Sequence, residues 1–481
     1  MNPEFRKHLW LEMTLPRLIG IPVLMAVILY LGGVFSEFAD VRFYNRLPLI
    51  LFVIFTFVWG AGQAGQSMTQ ELSDGSWDGV RLSAMHPWSL AWGRLFGSTS
   101  AAWYGGIIAL AAFIILSLFH GPDSDNPSLG IDIILTILWL TGCALMVQIL
   151  TLAGVLMEIR KQRSAKKRRI HPVVLLGMLS LPAVWSVLEE LFLPIRSDAG
   201  RFIDTVTWYS TDYAAQSFFL CVLAALVLWG LVALMHLMAL ELGERNGPWA
   251  WITFLLFLVT LLGGFLPGSK ENGTPGEYQR GLAMLAFGIL VTMTYLVAIM
   301  EPKRPEMMRR LEMVANYGRW RTLIDLTPRW FYTFLMAVVA GIAAALTPEE
   351  LSQSVFNTIL EELESPGRVT TGWMILTILL FVSRDLLLIV SYNLSRTLKR
   401  PDTVAILTFF LLYWFFPNLL EAMDLPLLVP LFWPIDSGNP YVMVTMPTLE
   451  VLGLLLLVRV RWRNLFSENR NEENRSGETG S

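Results

Sequence analysis

Long apolar runs, separated by short polar segments, follow one another over almost the whole chain. A helix needs about 20 apolar residues to cross the hydrocarbon of a bilayer. Twelve runs come close to that length, at about residues 16–35, 47–67, 98–119, 133–157, 172–193, 215–240, 248–267, 281–300, 330–347, 371–394, 404–422 and 441–459. The pattern predicts an all-α polytopic membrane protein with about twelve transmembrane helices.

The basic residues indicate how these helices are oriented, because cytoplasmic loops of membrane proteins carry an excess of lysine and arginine. With the N-terminus in the cytoplasm, 28 of the 36 basic residues fall on the cytoplasmic side and seven outside, while Arg384 lies within a span. Losing one span would invert every later loop and remove this bias. We therefore expect twelve spans with the N- and C-termini cytoplasmic.

The composition agrees with a membrane protein. Of the 481 residues, 54% are hydrophobic and 16% are charged, whereas soluble proteins carry about 25% charged residues. Cys143 and Cys221 lie inside apolar runs, so we expect them to be packing residues and not a disulfide. The amphipathic N-terminal segment leads into a long apolar run with no small-residue cleavage site, which predicts no cleavable signal peptide. Membrane lipid is an expected partner and nucleic acid is not.

A polar stretch, ELSDGSWDGVRLSAMHPWSLAWGRL, interrupts the apolar pattern between the second and third spans, within a loop of residues 68–97. Ser73-Asp74-Gly75 is typical of a turn or a helix start. One side of a short surface helix, broken by Pro87, would then carry apolar residues at Trp77, Val80, Leu82, Met85 and Leu90. A solvated loop with aromatic residues at the membrane interface is the alternative.

Several residues of this loop follow a known family pattern: Glu71, then Gly75-Ser76-Trp77-Asp78, Ser83-Ala84-Met85-His86 with Pro87, and finally Gly93-Arg94-Leu95. In these positions the stretch resembles the signature loop of the type-2 ATP-binding-cassette exporter permeases. That loop runs Glu, Gly-Thr-apolar-Glu, Thr-Pro-Leu-Ser and Gly-Lys-Leu. The departures are Ala84 for proline, Gly79 and Arg81 in the apolar run, and Arg94 for lysine. The resemblance covers about 25 residues.

The resemblance implies that the loop is a coupling helix, which docks on a cytoplasmic ATPase and passes its motion to the spans. Residues 1–15 likewise resemble the amphipathic connecting helix of these permeases, with Phe5, Leu9 and Trp10 on its apolar side. The sequence from Gly263 to Lys270 has the wrong spacing for a nucleotide-binding loop. We therefore expect no catalysis and no cofactor in this chain, with ATP and Mg bound by a separate ATP-binding-cassette ATPase, expected as a dimer.

The family's usual permease unit has six spans, so twelve spans suggest two six-helix permease units fused in tandem. The loop at 301–329 has a similar order of residues, with Gly318 and Trp320 followed by Thr327 and Pro328. The expected segments are an interfacial helix at 1–15, units at 16–240 and 241–462, and a disordered cytoplasmic tail at 463–481. Twelve spans that arose without duplication are the alternative.

Charged residues inside a membrane are costly and are therefore functional candidates. Arg384 and Asp385 lie mid-span, where they could serve a substrate or form an ion pair between spans. Glu189 and Glu190, with a histidine such as His236, would suit an intramembrane protease.

Three functions follow from these features: an export permease of the plasma membrane (the bacterial inner membrane), an ion-coupled secondary transporter and an intramembrane protease. The substrate is not predicted by the sequence.

Overall fold

The structure is a computed structural model, and it describes most of the chain. The described residues are 2–36, 41–82, 85–119, 129–161, 205–244, 247–266, 275–301, 303, 305–347, 371–395, 398, 401–423, 432 and 440–478.

Within these residues, ten helices are long and apolar enough to cross a membrane. They are Leu15–Val34, Arg46–Glu71, Ser100–Leu118, Gly130–Met157, Ala215–Glu241, Tyr278–Met300, Arg329–Leu346, Thr371–Asn393, Thr403–Ala422 and Tyr441–Asn464. The chain is thus a helical multi-pass membrane protein, as predicted.

Two of the twelve predicted spans are not among these ten. The run at 172–193 lies outside the described residues. The run at 248–267 forms the helix Trp249–Gly263, whose 15 residues rise only about 22 Å, less than the hydrocarbon thickness of about 30 Å. The count of twelve and the side on which the termini lie therefore stay predictions.

The chain divides into two compact units, of which the first comprises Met1–Thr207 and Thr211–Asn246. Its helices are α1 (Pro3–Glu12), α2 (Leu15–Ser36), α3 (Val41–Val53), α4 (Gly60–Ser73), α5 (Trp77–Leu82), α6 (Pro87–Ser98), α7 (Ser100–Phe119), α8 (Leu129–Lys161) and α9 (Ala215–Glu241). A π-helical segment, Ile54–Trp59, joins α3 to α4 within one span. The core of the unit lies where α3 packs on α7 and where α4 and α9 pack on α8.

One buried polar side chain provides a hydrogen-bond donor to the backbone of the π-helical segment in the first unit. Gln148 on α8 is fully buried, and its Nε2 donates to the carbonyl of Thr56 at 3.0 Å. Its Oε1 accepts a hydrogen bond from Trp103 Nε1 at 3.1 Å. A polar group without a hydrogen-bond partner inside a membrane costs roughly several kcal/mol. This network therefore fixes the π-helical segment against α8.

The second unit comprises Trp208–Ser210 and Gly247–Ser481. Its helices are α10 (Trp249–Gly263), α11 (Pro275–Met300), α12 (Pro305–Asn316), α13 (Trp320–Leu326), α14 (Arg329–Leu346), α15 (Thr371–Asn393), α16 (Pro401–Phe410), α17 (Phe416–Ala422) and α18 (Pro440–Glu478). Here α11 packs on α14 and α15 packs on α18. A second π-helical segment, Leu411–Phe415, joins α16 to α17.

Two features differ from the predicted fold. Strands β1 (Thr205–Trp208) and β2 (Thr211–Ala214) form a hairpin in a chain predicted to be all-α. Its turn residues, Tyr209 and Ser210, both have positive φ, as the common two-residue hairpin turn requires, but lack the glycine or asparagine that signals it. In addition, α18 continues through Glu478 and so enters the tail that we predicted to be disordered.

The N-terminal helix α1 packs closely on α6 at two glycines one turn apart. A Cβ atom at Gly93 would lie 2.9 Å from the Cβ of Glu4, and one at Gly97 would lie 2.8 Å from the Cβ of His8. Gly97 also faces the backbone of Phe5, whose Cα would be 3.2 Å away. Small residues spaced by four allow two helices to approach in this way.

We expect Gly97→Ala to loosen α1 from α6, because the added methyl group meets backbone that cannot rotate away. Overpacking of this kind costs about 1–3 kcal/mol. The measurement is thermal unfolding of the purified protein in detergent, together with the rate at which trypsin cleaves at Lys7. Gly62→Ala is the control, because nothing lies within 4 Å of a Cβ at that helical glycine. Equal unfolding temperatures for the two variants would contradict the close packing.

Candidate functional site

The 68–97 loop forms two short helices joined at a proline. After α4, residues 74–76 form a turn in which Gly75 has a φ of +69°, a conformation that favours glycine. Helix α5 then begins at Trp77 and ends at Leu82, and α6 begins at Pro87. The prediction of one surface helix broken by Pro87 was therefore wrong.

The reason lies in the residue before the proline. The Nδ1 atom of His86 accepts a hydrogen bond from the backbone N–H of Trp88 at 3.2 Å and so caps α6. Proline suits the first turn of a helix, where its missing N–H needs no partner. Pro87 thus starts a helix, and Leu90, predicted on the same face as Trp77, belongs to the second helix.

A buried ion pair joins the two ends of the loop. Arg94 on α6 is fully buried, and its Nη2 donates to Oε2 of Glu71, near the end of α4. The other carboxylate oxygen, Oε1, accepts a hydrogen bond from Lys7 Nζ at 2.6 Å. Because a buried charge without its partner is very unfavourable, the pair holds the end of α4 against α6.

The indole of Trp77 covers the guanidinium of Arg94. The Cζ atom of Arg94 lies 4.8 Å from the ring centroid, and Trp77 is only 3% exposed. A cation over an indole face is stabilised by the ring's negative face, more so when water is excluded. This contact fixes α5, which follows the turn at Gly75, to the base of the loop.

Helix α1 adds two further ionisable groups to this base. Glu4 and His8, one turn apart, are both 5% exposed and face Glu71. The contact with His8 holds the pKa of Glu4 below its ordinary value, against the effect of burial, with help from Lys7 and Arg94. Trp10 on the same helix is 79% exposed. The helix therefore turns polar residues toward the protein and an aromatic residue outward, as an interfacial helix requires.

The outer part of the loop is exposed. Asp74, Gly75 and Ser76 are exposed, and Leu82 is 88% exposed. On α6, the rings of Trp88 and Trp92 stack with their centroids 6.0 Å apart. The loop thus combines a rigid base with an exposed tip, which is the arrangement that a docking element needs.

The predicted site residues of this loop are distributed between base and tip. Glu71, Trp77, Pro87, Gly93 and Arg94 are buried in the base, and Met85 is half-buried beside it. Gly75 and Ser76 lie at the tip. The side chain of Asp78 lies outside the described residues.

Sequence reasoning missed Glu4, Lys7 and His8. The one signal in the sequence was the spacing of Glu4 and His8, four residues apart on one face of a helix.

The second predicted loop, 301–329, first forms α12, which has no counterpart in the 68–97 loop, and then has a similar order of glycine, short helix and proline. Gly318 has a φ of +66°, α13 begins at Trp320, and Pro328 directly precedes α14. Thr327 Oγ1 donates to the carbonyl of Leu323 at 2.7 Å. Unlike Trp77, Trp320 is 72% exposed.

An acidic residue also follows the preceding span of this unit. Oε2 of Glu301 accepts a hydrogen bond from the backbone N–H of Arg329 at 2.9 Å and so holds the start of α14. Burial raises the pKa of Glu301. Glu301 thus connects the end of one span with the start of the next, whereas Glu71 in the first unit connects the end of a span with α6, the helix that leads to the next span.

The mid-span residues Arg384 and Asp385 form a buried cluster with one side chain from each of three other spans. Arg384 donates to Asp385 at 3.0 Å through Nε and to Glu450 on α18 at 2.8 Å through Nη1. Oδ2 of Asp385 accepts hydrogen bonds from Tyr295, at 2.7 Å, and from Tyr413. The ion pair between spans that the sequence left open is therefore formed, together with a pair between neighbours.

The third predicted group is not described in full. Glu189 and Glu190 lie outside the described residues, and Nδ1 of His236 lies 2.8 Å from the carbonyl of Val232 on its own helix. The protease alternative stays a prediction.

Comparisons with protein-family models, with curated proteins and with solved structures find no match to this chain. The ten long apolar helices among the described residues make the chain a helical multi-pass membrane protein.

We expect Glu71→Gln and Arg94→Met each to lower the stability of the protein by about 3 kcal/mol, because each leaves the other charge buried without its main partner. The double variant should lose less than the sum of the two losses. Thermal unfolding in detergent measures all three. Arg17→Gln, which removes the half-exposed Glu12–Arg17 pair, should cost under about 1 kcal/mol. Strict additivity of the two single changes would exclude the coupling.

Proposed function

We propose that this chain is the membrane-spanning permease subunit of an ATP-driven exporter. It moves its substrate with energy from ATP, which a separate cytoplasmic ATP-binding-cassette ATPase hydrolyses with Mg. The observation that carries the proposal is the anchored 68–97 loop, whose sequence resembles the coupling loop of such permeases. The substrate is left open.

The mechanical requirement for coupling supports this reading. A loop can transmit the motion of a partner only if its base does not yield. In the 68–97 loop, the Glu71–Arg94 pair and the indole of Trp77 fix the base. Leu82, 88% exposed at the end of α5, is then available to a partner.

The parallel between the two loops supports two permease units in one chain. In both, a glycine with positive φ is followed two residues later by a tryptophan that begins a short helix. A proline then begins or precedes the next helix, at Pro87 and at Pro328. Two loops of this kind would serve the two subunits of an ATPase dimer. The loops would then lie in the cytoplasm, as the basic residues predict.

The test is a pull-down of the tagged full chain from its own cells in mild detergent, with the recovered proteins identified by mass spectrometry. Wild type should recover an ATP-binding-cassette ATPase. Leu82→Glu and Tyr317→Glu, which change exposed side chains of the two loops, should each lower the recovery severalfold. Leu346→Glu is the control, because this residue is 79% exposed at the far end of α14.

Two outcomes count against the proposal. Folded wild type that recovers no ATP-binding-cassette protein would refute it. Equal recovery by wild type and both loop variants would remove the loops from the interface.

An ion-coupled transporter is the second candidate, and the buried Asp385 cluster favours it. A carboxylate that is fully buried at mid-span could carry a proton across. Its three hydrogen-bonding partners, Tyr295, Arg384 and Tyr413, come from its own helix and two other helical segments, and they also suit a purely structural role.

Asp385→Asn separates these two roles. If the cluster is structural, the variant unfolds at a lower temperature, and proteoliposomes loaded with a pH-sensitive dye show no proton flux for either protein under an imposed pH gradient. We expect this result. Proton flux through wild type that Asp385→Asn abolishes would favour the ion-coupled transporter. Thr377→Val, a buried change on the same helix, controls for general damage to α15.

A further inference from the structure

Three side chains with metal-ligating atoms converge where α1 meets the end of α4. His8 Nε2 lies 3.4 Å from Oε2 of Glu4 and 3.7 Å from Oε1 of Glu71. All three residues are buried, with at most 8% of their surface exposed. The three ligand atoms lie within 4.8 Å of one another.

Two of these atoms have no hydrogen-bond partner. Neither Nε2 of His8 nor Oε2 of Glu4 forms a hydrogen bond, although both are buried. Leaving a buried polar group unpaired costs about 1–3 kcal/mol. The imidazole nitrogen therefore points between two carboxylate oxygens without donating to either.

The distance from His8 Nε2 to Oε2 of Glu4 fits the edge of a metal coordination shell better than a hydrogen bond. Hydrogen bonds from nitrogen to oxygen are about 2.7–3.2 Å long. Two ligands on a tetrahedral zinc ion, with bonds of about 2.0–2.1 Å, lie about 3.3–3.4 Å apart. The contact of His8 with Glu4 has this length, and the contact with Glu71 is slightly longer.

We propose that Glu4, His8 and Glu71 bind a zinc ion, each through one atom, with water as the remaining ligand. One imidazole and two carboxylates suit zinc better than calcium or magnesium, which prefer oxygen ligands alone. Glu4 and His8 supply two ligands from one turn of α1, and Glu71 supplies the third from α4.

Two neighbouring basic residues affect how the site would bind zinc: one orients a ligand, and the other competes with the ion. The two carboxylates bring two negative charges to the site, which the neighbouring cations Arg94 and Lys7 offset. Arg94 binds the other oxygen of Glu71, as a residue that orients a ligand does. Lys7 donates to Oε1, the oxygen that faces His8, and so competes with the metal there. Its side chain is 44% exposed and can turn into water. Removing the Lys7 charge should therefore strengthen zinc binding.

This inference goes beyond the proposed function, because it does not depend on an ATPase. A zinc ion at this position would join α1 to the base of the 68–97 loop. Its test uses the purified chain alone, so either idea can fail without the other.

The experiment is a titration of the metal-stripped full chain in detergent with Zn²⁺, against a fluorescent zinc indicator that competes for the ion. We expect one equivalent bound per chain. His8→Ala and Glu4→Gln should each weaken binding at least tenfold, and Lys7→Gln should strengthen it severalfold. His86→Asn is the control, because it changes an exposed histidine and keeps an oxygen that can cap α6.

The visible spectrum of bound Co²⁺ provides a second readout, since its intensity reports the number of ligands. A four-coordinate spectrum in wild type that Glu4→Gln changes supports the site, even if His8→Ala does not fold. Equal zinc affinity in wild type and Glu4→Gln would overturn the proposal. So would a failure of folded wild type to bind zinc more tightly than Mg²⁺.

Discussion

The ion pair of Glu71 and Arg94 is the contact on which the organisation of the first unit's loop depends. It connects the end of one span with the helix that leads to the next. The indole of Trp77 packs on one partner and Lys7 binds the other, so two further segments are fixed to the same pair. Ion pairs of this kind contribute little net stability compared with apolar packing, but they select one arrangement, since any other leaves a charge buried alone.

Sequence reasoning found most of the membrane-spanning architecture because lipid imposes a simple rule on length and polarity. It also singled out Glu71, Trp77 and Arg94, through the resemblance of their spacing to a known loop. It did not find that these residues touch one another. Nor did it find the contribution of Glu4 and His8, because the sequence gives no sign of contacts between residues so far apart along the chain.

The errors in the sequence interpretation also have physical causes. Pro87 was taken as the end of a helix, whereas the cap provided by His86 makes it the beginning of one. The hairpin before α9 was missed because Tyr209 and Ser210 adopt positive φ without the glycine or asparagine that announces it. In each case one local contact decided between two conformations that the sequence pattern alone allows.

The close packing of α1 on α6 has a consequence for how the chain is made. Glu4 and His8 face residues that emerge from the ribosome only after the second span has been synthesised, and Gly97 comes later still. Until then α1 has no protein surface on which to bury its polar side, and Trp10 and Leu11 can hold it only at the lipid headgroups. Although α1 is synthesised before the first three spans, it is therefore among the last of their elements to reach its final place.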